Sequence, residues 1–422
     1  GYDVVMGALL GADEFGFGTI AMISVGCIMA RICHTNNCPV GVTTQKENLR
    51  KKFKGTPADQ LGFFLFVAHE VRGILAEMGY TSLGEVVGRA DLLQQYRGNS
   101  KEAPLHKTSN VDLKFVSDMP VLKSAEERKQ LEEVDYTWAQ KGTLDDTLLA
   151  RDDVKRAIEN HEHVKVETPI VNTDRAIPSR VHGQVALAHG NSGWKGSLHL
   201  VFHGCAGQSF GFSCLPGMDL EVRGEANDYA GKSMHGGRIR VRPVDGPLGF
   251  TPSESSIVGN TCLYGATGGR FFANGQAGMR FCVRNSNAEA VVEGTGDHCC
   301  EYMTGGVVVV IGACGRNIGA GQTGGWGYYL EDESCGPGYS VAARLNSDVK
   351  MQPVNAVGAK QLKELLEAHV EATESEKAKA ILADFDNYLP KFVHVYPSSE
   401  ADSPEVSGVE KAAVADGELV SA

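Results

Sequence analysis

At 422 residues, 42% hydrophobic and 22% charged, the chain is long enough for two or three domains with sizeable cores. No apolar run reaches the roughly 18 residues of a membrane helix, and a formal net charge of −12 argues against general nucleic-acid binding. Eleven irregularly spaced cysteines point to a reducing compartment, not to a secreted disulfide framework.

Gly1 is not an initiator methionine and the opening residues lack the pattern of a targeting segment, while Asp3 to Leu10 already has the pattern of an amphipathic helix. The expectation is a chain that opens in mid-domain, as part of something larger. The helix should end at Gly11-Ala-Asp13, with a short strand over Glu14-Phe-Gly-Phe-Gly18. A strand closing in Gly-x-Gly brings backbone N–H groups near a phosphate at the end of many (β/α)8 barrel strands, which makes Gly16, Gly18 and Thr19 candidate phosphate contacts. A plain glycine turn is the competing reading.

Cys27, Cys33 and Cys38 follow in a C-x5-C-x4-C run. Thiolates grouped this tightly hold soft metal, as iron–sulfur or zinc. A four-iron cubane wants a fourth cysteine, and the next is Cys205, so three ligands suggest a [3Fe-4S] centre. Zinc with His34 and three inert buried thiols stay open as alternatives. Lys46, Arg50, Lys51, Lys52 and Lys54 then put five positive charges into nine residues, either a landing site for an acidic partner or a solvated helix face.

Thr56-Pro57-Ala-Asp59 reads as a helix start, and Gly79 as its stop. Leu61, Phe64, Leu65, Ala68, Val71, Leu75 and Met78 form the stripe between them, expected to be core, with His69 off it. From 96 to 180 the sequence is charged and loop-rich, a connecting segment with helices over Ser124–Gln140 and Asp152–His161.

Between Gly224 and Gly327, 23 of 104 residues are glycine, and short apolar runs follow Gly236-Gly237, Gly268-Gly269, Gly305-Gly306 and Gly324-Gly325. Repeated short strands behind glycine turns predict a β-solenoid, with glycine at corners that need positive φ or close backbone approach. Asp297-His298-Cys299-Cys300 resembles a metal cluster, but neighbours on a strand face opposite ways, so the group is expected to be structural. Stripes at Leu362, Leu365, Leu366, Val370 and at Ala378, Ile381, Leu382, Phe385, Leu389 predict closing helices. The Ser-, Ala- and Glu-rich tail from 398 to 422 is expected to be disordered.

The run from Gly11 to Thr19 with the cysteine segment through Gly41 resembles the end of the flavin domain of glutamate synthase. Ala206-Gly-Gln-Ser-Phe210, Gly224 to Tyr229, Gly259 to Gly269 and Gly294 to Gly306 resemble that family's glycine-rich β-helix domain. The Arg-Ile-Cys-His-Thr-Asn-Asn-Cys wording is most similar to the ferredoxin-dependent form of plastids and cyanobacteria, although the NAD(P)H forms share these motifs.

The resemblance implies a mixed, mainly β architecture: a C-terminal right-handed β-helix preceded by the last βα part of an FMN-binding (β/α)8 barrel and flanked by helices. Its expected divisions are 1–95 for the barrel end, iron–sulfur segment and helix, 96–180 for the connecting segment, 181–350 for the β-helix, 351–397 for helices and 398–422 for the tail. It implies synthesis of glutamate from glutamine-derived ammonia and 2-oxoglutarate on FMN, through 2-iminoglutarate. A [3Fe-4S] cluster on Cys27, Cys33 and Cys38 would relay electrons, Gly16, Gly18 and Thr19 would border the FMN phosphate, and ferredoxin would be the donor. The β-helix would be a stiff scaffold, and the setting the plastid stroma or the cytoplasm of a bacterium. One barrel unit cannot enclose a flavin, so the chain alone is expected neither to hold FMN stably nor to make glutamate. Two other readings are a non-catalytic β-solenoid interaction module and another flavin or molybdenum/tungsten assembly built on the same β-helix.

Overall fold

The computed structural model describes residues 1–32, 37–44, 46–95, 111–117, 142–244, 251–252 and 254–409. The chain divides into two compact units, Gly1–Trp138 and Ala139–Ala422. Among the described residues no helix is long and apolar enough to cross a membrane.

In the first unit the amphipathic start folds as α1 (Tyr2–Leu9), followed by α2 (Thr19–Ser24), α3 (Glu47–Arg50), α4 (Pro57–Met78) and α5 (Lys114–Ser117). Residues 14–18 join no strand ladder, because no second strand lies among the unit's described residues; they form an irregular lead into α2 instead. α4 starts as its sequence predicts. The Thr56 hydroxyl accepts the Asp59 N–H at 3.3 Å, the Asp59 carboxylate accepts the Thr56 N–H at 2.8 Å, and Gly79 ends the helix at φ +84°. The stripe expected to be core is core only in part. Val71 and Leu75 are buried against Val5, Ala8 and Leu9, while Leu61, Leu65 and Phe66 stay 63%, 60% and 75% exposed. Length explains it: α1, about 12 Å long, covers only the second half of the roughly 33 Å α4.

The second unit opens with α6 (Leu144–Ala150), α7 (Asp152–Asn160), β1 (His163–Ile170) and α8 (Ser179–His189). Parallel strands β2 (Ser197–Ala206), β3 (Met218–Ala226), β4 (Arg238–Arg242), β5 (Ser256–Val258), β6 (Arg270–Ala277), β7 (Glu289–Thr295), β8 (Thr304–Val310) and β9 (Gly324–Leu330) follow. The ladder order is β1-β2-β3-β4-β6-β7-β8-β9, with β5 bridging β3 and β6. Paired residues lie 20, 19, 32, 19, 18 and 19 positions apart from β2 to β9, the period of a solenoid with one insertion after β4. The predicted solenoid is therefore present, and its ladder begins earlier than expected, at β1. Val166 and Ile170 on β1 are buried, so a segment rich in charge still places alternate apolar residues inward.

Among the described residues β2, β3, β5, β6, β7 and β8 each lead into an arch, and these six arches share one backbone device. Three alternate residues take left-handed φ: Ser209, Gly211, Ser213 in the first, Tyr229, Gly231, Ser233 in the second, and so on to Asn317, Gly319, Gly321. The alternation turns successive N–H groups toward opposite neighbours. Gly231 N–H donates back to Phe210 O at 2.8 Å, while Tyr229 and Ser233 donate forward to Asn260 and Tyr264 at 2.8 and 2.9 Å. Left-handed corners thus carry Ser, Tyr, Thr, Arg and His as well as glycine, a departure from the glycine rule expected of them. The second glycine of each pair meets the other expectation, close approach: a Cβ on Gly325 would lie 2.5 Å from Gly306 O.

The outer face of the sheet changes character along the solenoid. On β3 and β4 it is an ion-pair lattice: Arg223 and Arg242 reach Glu221 at 2.7 and 3.1 Å, and Arg238 and Arg240 reach Asp219 at 3.0 and 2.9 Å. Burial pushes the Glu221 carboxyl up, but hydrogen bonds from Arg223 and Arg242 and the Arg240 charge outweigh it and hold it at about 2. From β6 onward the outer face is mainly apolar, with Phe272, Val291, Val307, Val309 and Tyr328 buried under α9 (Ala356–Thr373) and α10 (Glu376–Ala383), around a buried Glu293 that accepts from the Ser375 hydroxyl. Of the predicted stripes Leu362, Leu365, Leu366, Ala378 and Ile381 are buried there, while Val370, Leu382, Phe385 and Leu389 are half-buried against them, the last two beyond the end of α10.

β10 (Val349–Pro353) and β11 (Phe392–Pro397), with α11 (Phe385–Tyr388) before it, close the far end. β11 runs antiparallel to β9 and β10 antiparallel to β11, so the last solenoid strand is not an open edge. The segment from 398, expected to be disordered, continues this cover through α12 (Pro404–Ser407). Glu400 accepts the Gly325 N–H at 2.9 Å, Gln352 and Asn355 donate to the Val406 and Glu405 carbonyls at 2.7 Å each, and Val406 is buried. Few apolar residues were needed because backbone groups make the contacts. Residues 410–422 lie outside the described set.

Candidate metal centre

The cysteine segment begins at the end of α2. Gly26, at φ +99°, lets its own N–H reach Ile23 O at 2.9 Å and the Cys27 N–H reach Met22 O at 3.0 Å, a Schellman closure that sets where Cys27 leaves the helix. The Met29 N–H then donates to the Cys27 sulfur at 3.4 Å.

Cys38 sits in a tighter setting. Cys38-Pro39-Val40-Gly41 forms a turn closed by the Gly41 N–H on Cys38 O at 3.2 Å. Hydrogen bonding from the Thr43 backbone draws the Cys38 thiol down to about 7; burial opposes this, and the Val40 and Val42 backbones add to it. Gly41 makes the approach possible, since at φ +79° a Cβ there would lie 2.5 Å from Leu49 O. N–H groups converging on a sulfur favour thiolate, the form that ligates metal. The setting of Cys38 therefore fits an iron–sulfur ligand role. Cys33 and His34 lie outside the described residues.

The basic run is exposed beside this turn. Lys46 donates to Asn37 Oδ1, so the run is tied to the residue preceding Cys38. A cavity of about 730 Å³ lies between the cysteine turn and α3. The sequence contains the charges but not the cavity; Gly41, whose missing side chain lets the turn pack on Leu49 and Phe53, was its only signal.

Gly16, Gly18 and Thr19 are exposed, and a Cβ on either glycine would meet nothing within 4 Å. The protein itself does not require glycine there, and space remains for a ligand. Cys299 and Cys300 correct a premise: they lie in an arch, not on a strand, and with Cys300 at φ +59° both side chains turn inward, sulfurs 3.7 Å apart. Among the described residues no group of three or more His, Cys, Asp or Glu is arranged to hold a metal, here or elsewhere.

The family model described as GXGXG motif matches residues 145–398, and the one described as conserved region in glutamate synthase matches residues 1–81. The chain is 50% identical over 414 residues to the chloroplastic ferredoxin-dependent glutamate synthase of Spinacia oleracea, covering 97% of this chain and 25% of that protein. It is 52% identical over 412 residues to ferredoxin-dependent glutamate synthase 1, chloroplastic/mitochondrial, of Arabidopsis thaliana, covering 96% and 24%. With ferredoxin-dependent glutamate synthase 2 of a Synechocystis strain it is 50% identical over 411 residues, 97% and 26%. The chain spans about a quarter of the length of the curated relatives it matches.

Proposed function

Because this chain belongs to the GXGXG-motif family and its first 81 residues match the region conserved in glutamate synthase, we propose that it works as the electron-relay and scaffold part of a glutamate synthase. The reaction in this reading makes glutamate from glutamine-derived ammonia and 2-oxoglutarate. Cys27, Cys33 and Cys38 would hold a [3Fe-4S] cluster, and Gly16, Gly18 and Thr19 would border the phosphate of FMN. When bound, the cluster supplies one-electron transfer and the flavin supplies reduction of the substrate.

The observation that carries this reading is the setting of Cys27 by the Gly26 helix closure and of Cys38 by the turn to Gly41, inside the region that matches the one conserved in glutamate synthase. Backbone hydrogen bonding that draws the Cys38 thiol down to about 7 favours the thiolate, the form that ligates a cluster. The open space at Gly16 and Gly18 is compatible with a phosphate nearby. The bare apolar half of α4, with Leu61, Leu65 and Phe66, is what a helix of a larger barrel would present to its neighbours. In the same reading Lys46, Arg50, Lys51, Lys52 and Lys54 form the landing site for ferredoxin, the donor named in the relatives' descriptions. The setting would be a plastid stroma or a bacterial cytoplasm.

Electron paramagnetic resonance and metal analysis on the anaerobically purified chain test the ligand assignment. We expect about three irons per chain and a signal in the oxidised protein that vanishes on one-electron reduction with dithionite. Zinc without iron overturns it.

A further inference from the structure

The cavity between the cysteine turn and α3 is lined by a guanidinium that is unpaired among the described residues. Arg50 lines it, and among the described residues its guanidinium makes no ion pair or hydrogen bond. Lys51, also in the lining, is engaged by Glu47 at 3.5 Å one helical turn away. Phe53 gives one wall an apolar surface, and Gly41 and Thr44 bound the side nearest the cysteine turn. Lys46, Lys52 and Lys54 raise the positive potential around it, and among the described residues Glu47 is the only acidic one in the lining.

We propose that this cavity receives a carboxylate side chain of the acidic protein that donates electrons, with Arg50 as its partner and Phe53 against the acid's aliphatic stem. The proposal rests on the electron-donor reading above and narrows it from a diffuse basic face to one receptor. A guanidinium offers a planar two-pronged donor that matches a carboxylate, which an ammonium on a flexible stem does not. A volume of about 730 Å³ admits an acidic side chain with bridging water. The Lys46–Asn37 hydrogen bond makes Lys46 a positioning residue: it ties the helix that carries Arg50 to the residue next to Cys38. A donor seated on Arg50 would therefore be registered against the cysteine segment.

The test measures association of the full 422-residue chain with a plant-type [2Fe-2S] ferredoxin by stopped flow, at low and at physiological ionic strength. Arg50→Gln should weaken binding about tenfold, and Arg50→Lys, which keeps the charge and loses the fork, should recover only part of it. Lys54→Gln, which removes a charge of the landing face but lies outside the cavity, should weaken binding about two- to threefold through the lost field alone, well short of the Arg50→Gln loss. Circular dichroism melts establish that each variant is folded. Equal losses from Arg50→Gln and Lys54→Gln, or an Arg50→Lys variant equal to the parent, would mean that only the general field matters and would overturn the cavity. No binding by the parent chain would instead remove the donor reading, and the cavity's role with it.

Discussion

A left-handed backbone and a crowded backbone make different demands on a residue, and the arches separate the two. At the third left-handed position the chain uses Ser213, Ser233, Gly265, Arg284, Tyr302 and Gly321, so a side chain is tolerated there. The conformation costs about 1–2 kcal/mol per residue when isolated, and each arch offsets this through the N–H groups it sends to both neighbours. At Gly325 the objection is atomic overlap: φ is +65°, and a Cβ would lie 2.5 Å from Gly306 O and 2.7 Å from the Met303 methyl. At Gly265, also at φ +65°, a Cβ would meet nothing within 4 Å. Gly325→Ala should thus destabilise the second unit by about 3 kcal/mol through strain and overpacking, whereas Gly265→Ser should cost no more than about 1 kcal/mol. Urea unfolding midpoints decide it; equal losses at the two sites would show that the dihedral alone sets the penalty.

Two elements that cover the solenoid ends each bury a neutral imidazole. On α8, burial pushes His182 down to about 4 despite its hydrogen bond to Phe212 O; on β11, burial does the same to His394, whose ring lies 4.7 Å from that of Tyr328. Both folded values lie below the ordinary 6.5. The unfolded chain therefore binds more protons between about pH 6.5 and 4, and stability falls as pH falls through that window, by up to roughly 3 kcal/mol for each group. Among the described residues neither His394 nitrogen makes a hydrogen bond of normal geometry, and the pull of the Glu405 backbone on the ring is outweighed by burial, so His394→Leu should flatten the pH dependence of the unfolding midpoint and raise stability at pH 5. His182→Asn should flatten it too while losing packing. A slope unchanged in both variants would refute the linkage. How legible these elements were depended on the physics that forms them. The capping box of α4 and the α9 and α10 stripes follow from local spacing and were readable. The outer-face change was written in Arg238-Ile-Arg-Val-Arg242 against Val307-Val-Val-Val-Ile311, alternation against a continuous apolar run, which distinguishes a solvated face from a covered one. The arches were not readable, because Tyr229, Arg280 and His298 take left-handed φ only where neighbouring rungs accept their N–H groups. The half of α4 left bare was hidden for a related reason: a stripe says that a face is apolar, not how long its partner is.

A solenoid is held rung to rung, so its stability depends on how the terminal rungs are finished. β9 would end the ladder with open N–H and C=O groups, and β11 and the segment after it satisfy them. That segment was expected to be disordered because it lacks an apolar period, yet its contacts are specific: Glu400 on the Gly325 N–H, the Ser399 hydroxyl on Thr323 O at 2.7 Å, and the buried Val406, whose carbonyl accepts from Gln352 while Asn355 donates to the Glu405 carbonyl before it. Removing residues 398–422 would strip these hydrogen bonds, each of about 1 kcal/mol net, and re-expose Val406 for about 1–2 kcal/mol more. For a unit of this size the sum should lower Tm by about 5–10 °C. Removing only 410–422 should leave Tm within about 1 °C, since none of the contacts named involves that stretch. Calorimetry on the two truncations separates the cases. Equal Tm values for both would mean that β10 and β11 finish the ladder unaided; a large loss from the shorter truncation would mean that the cover extends past Val409.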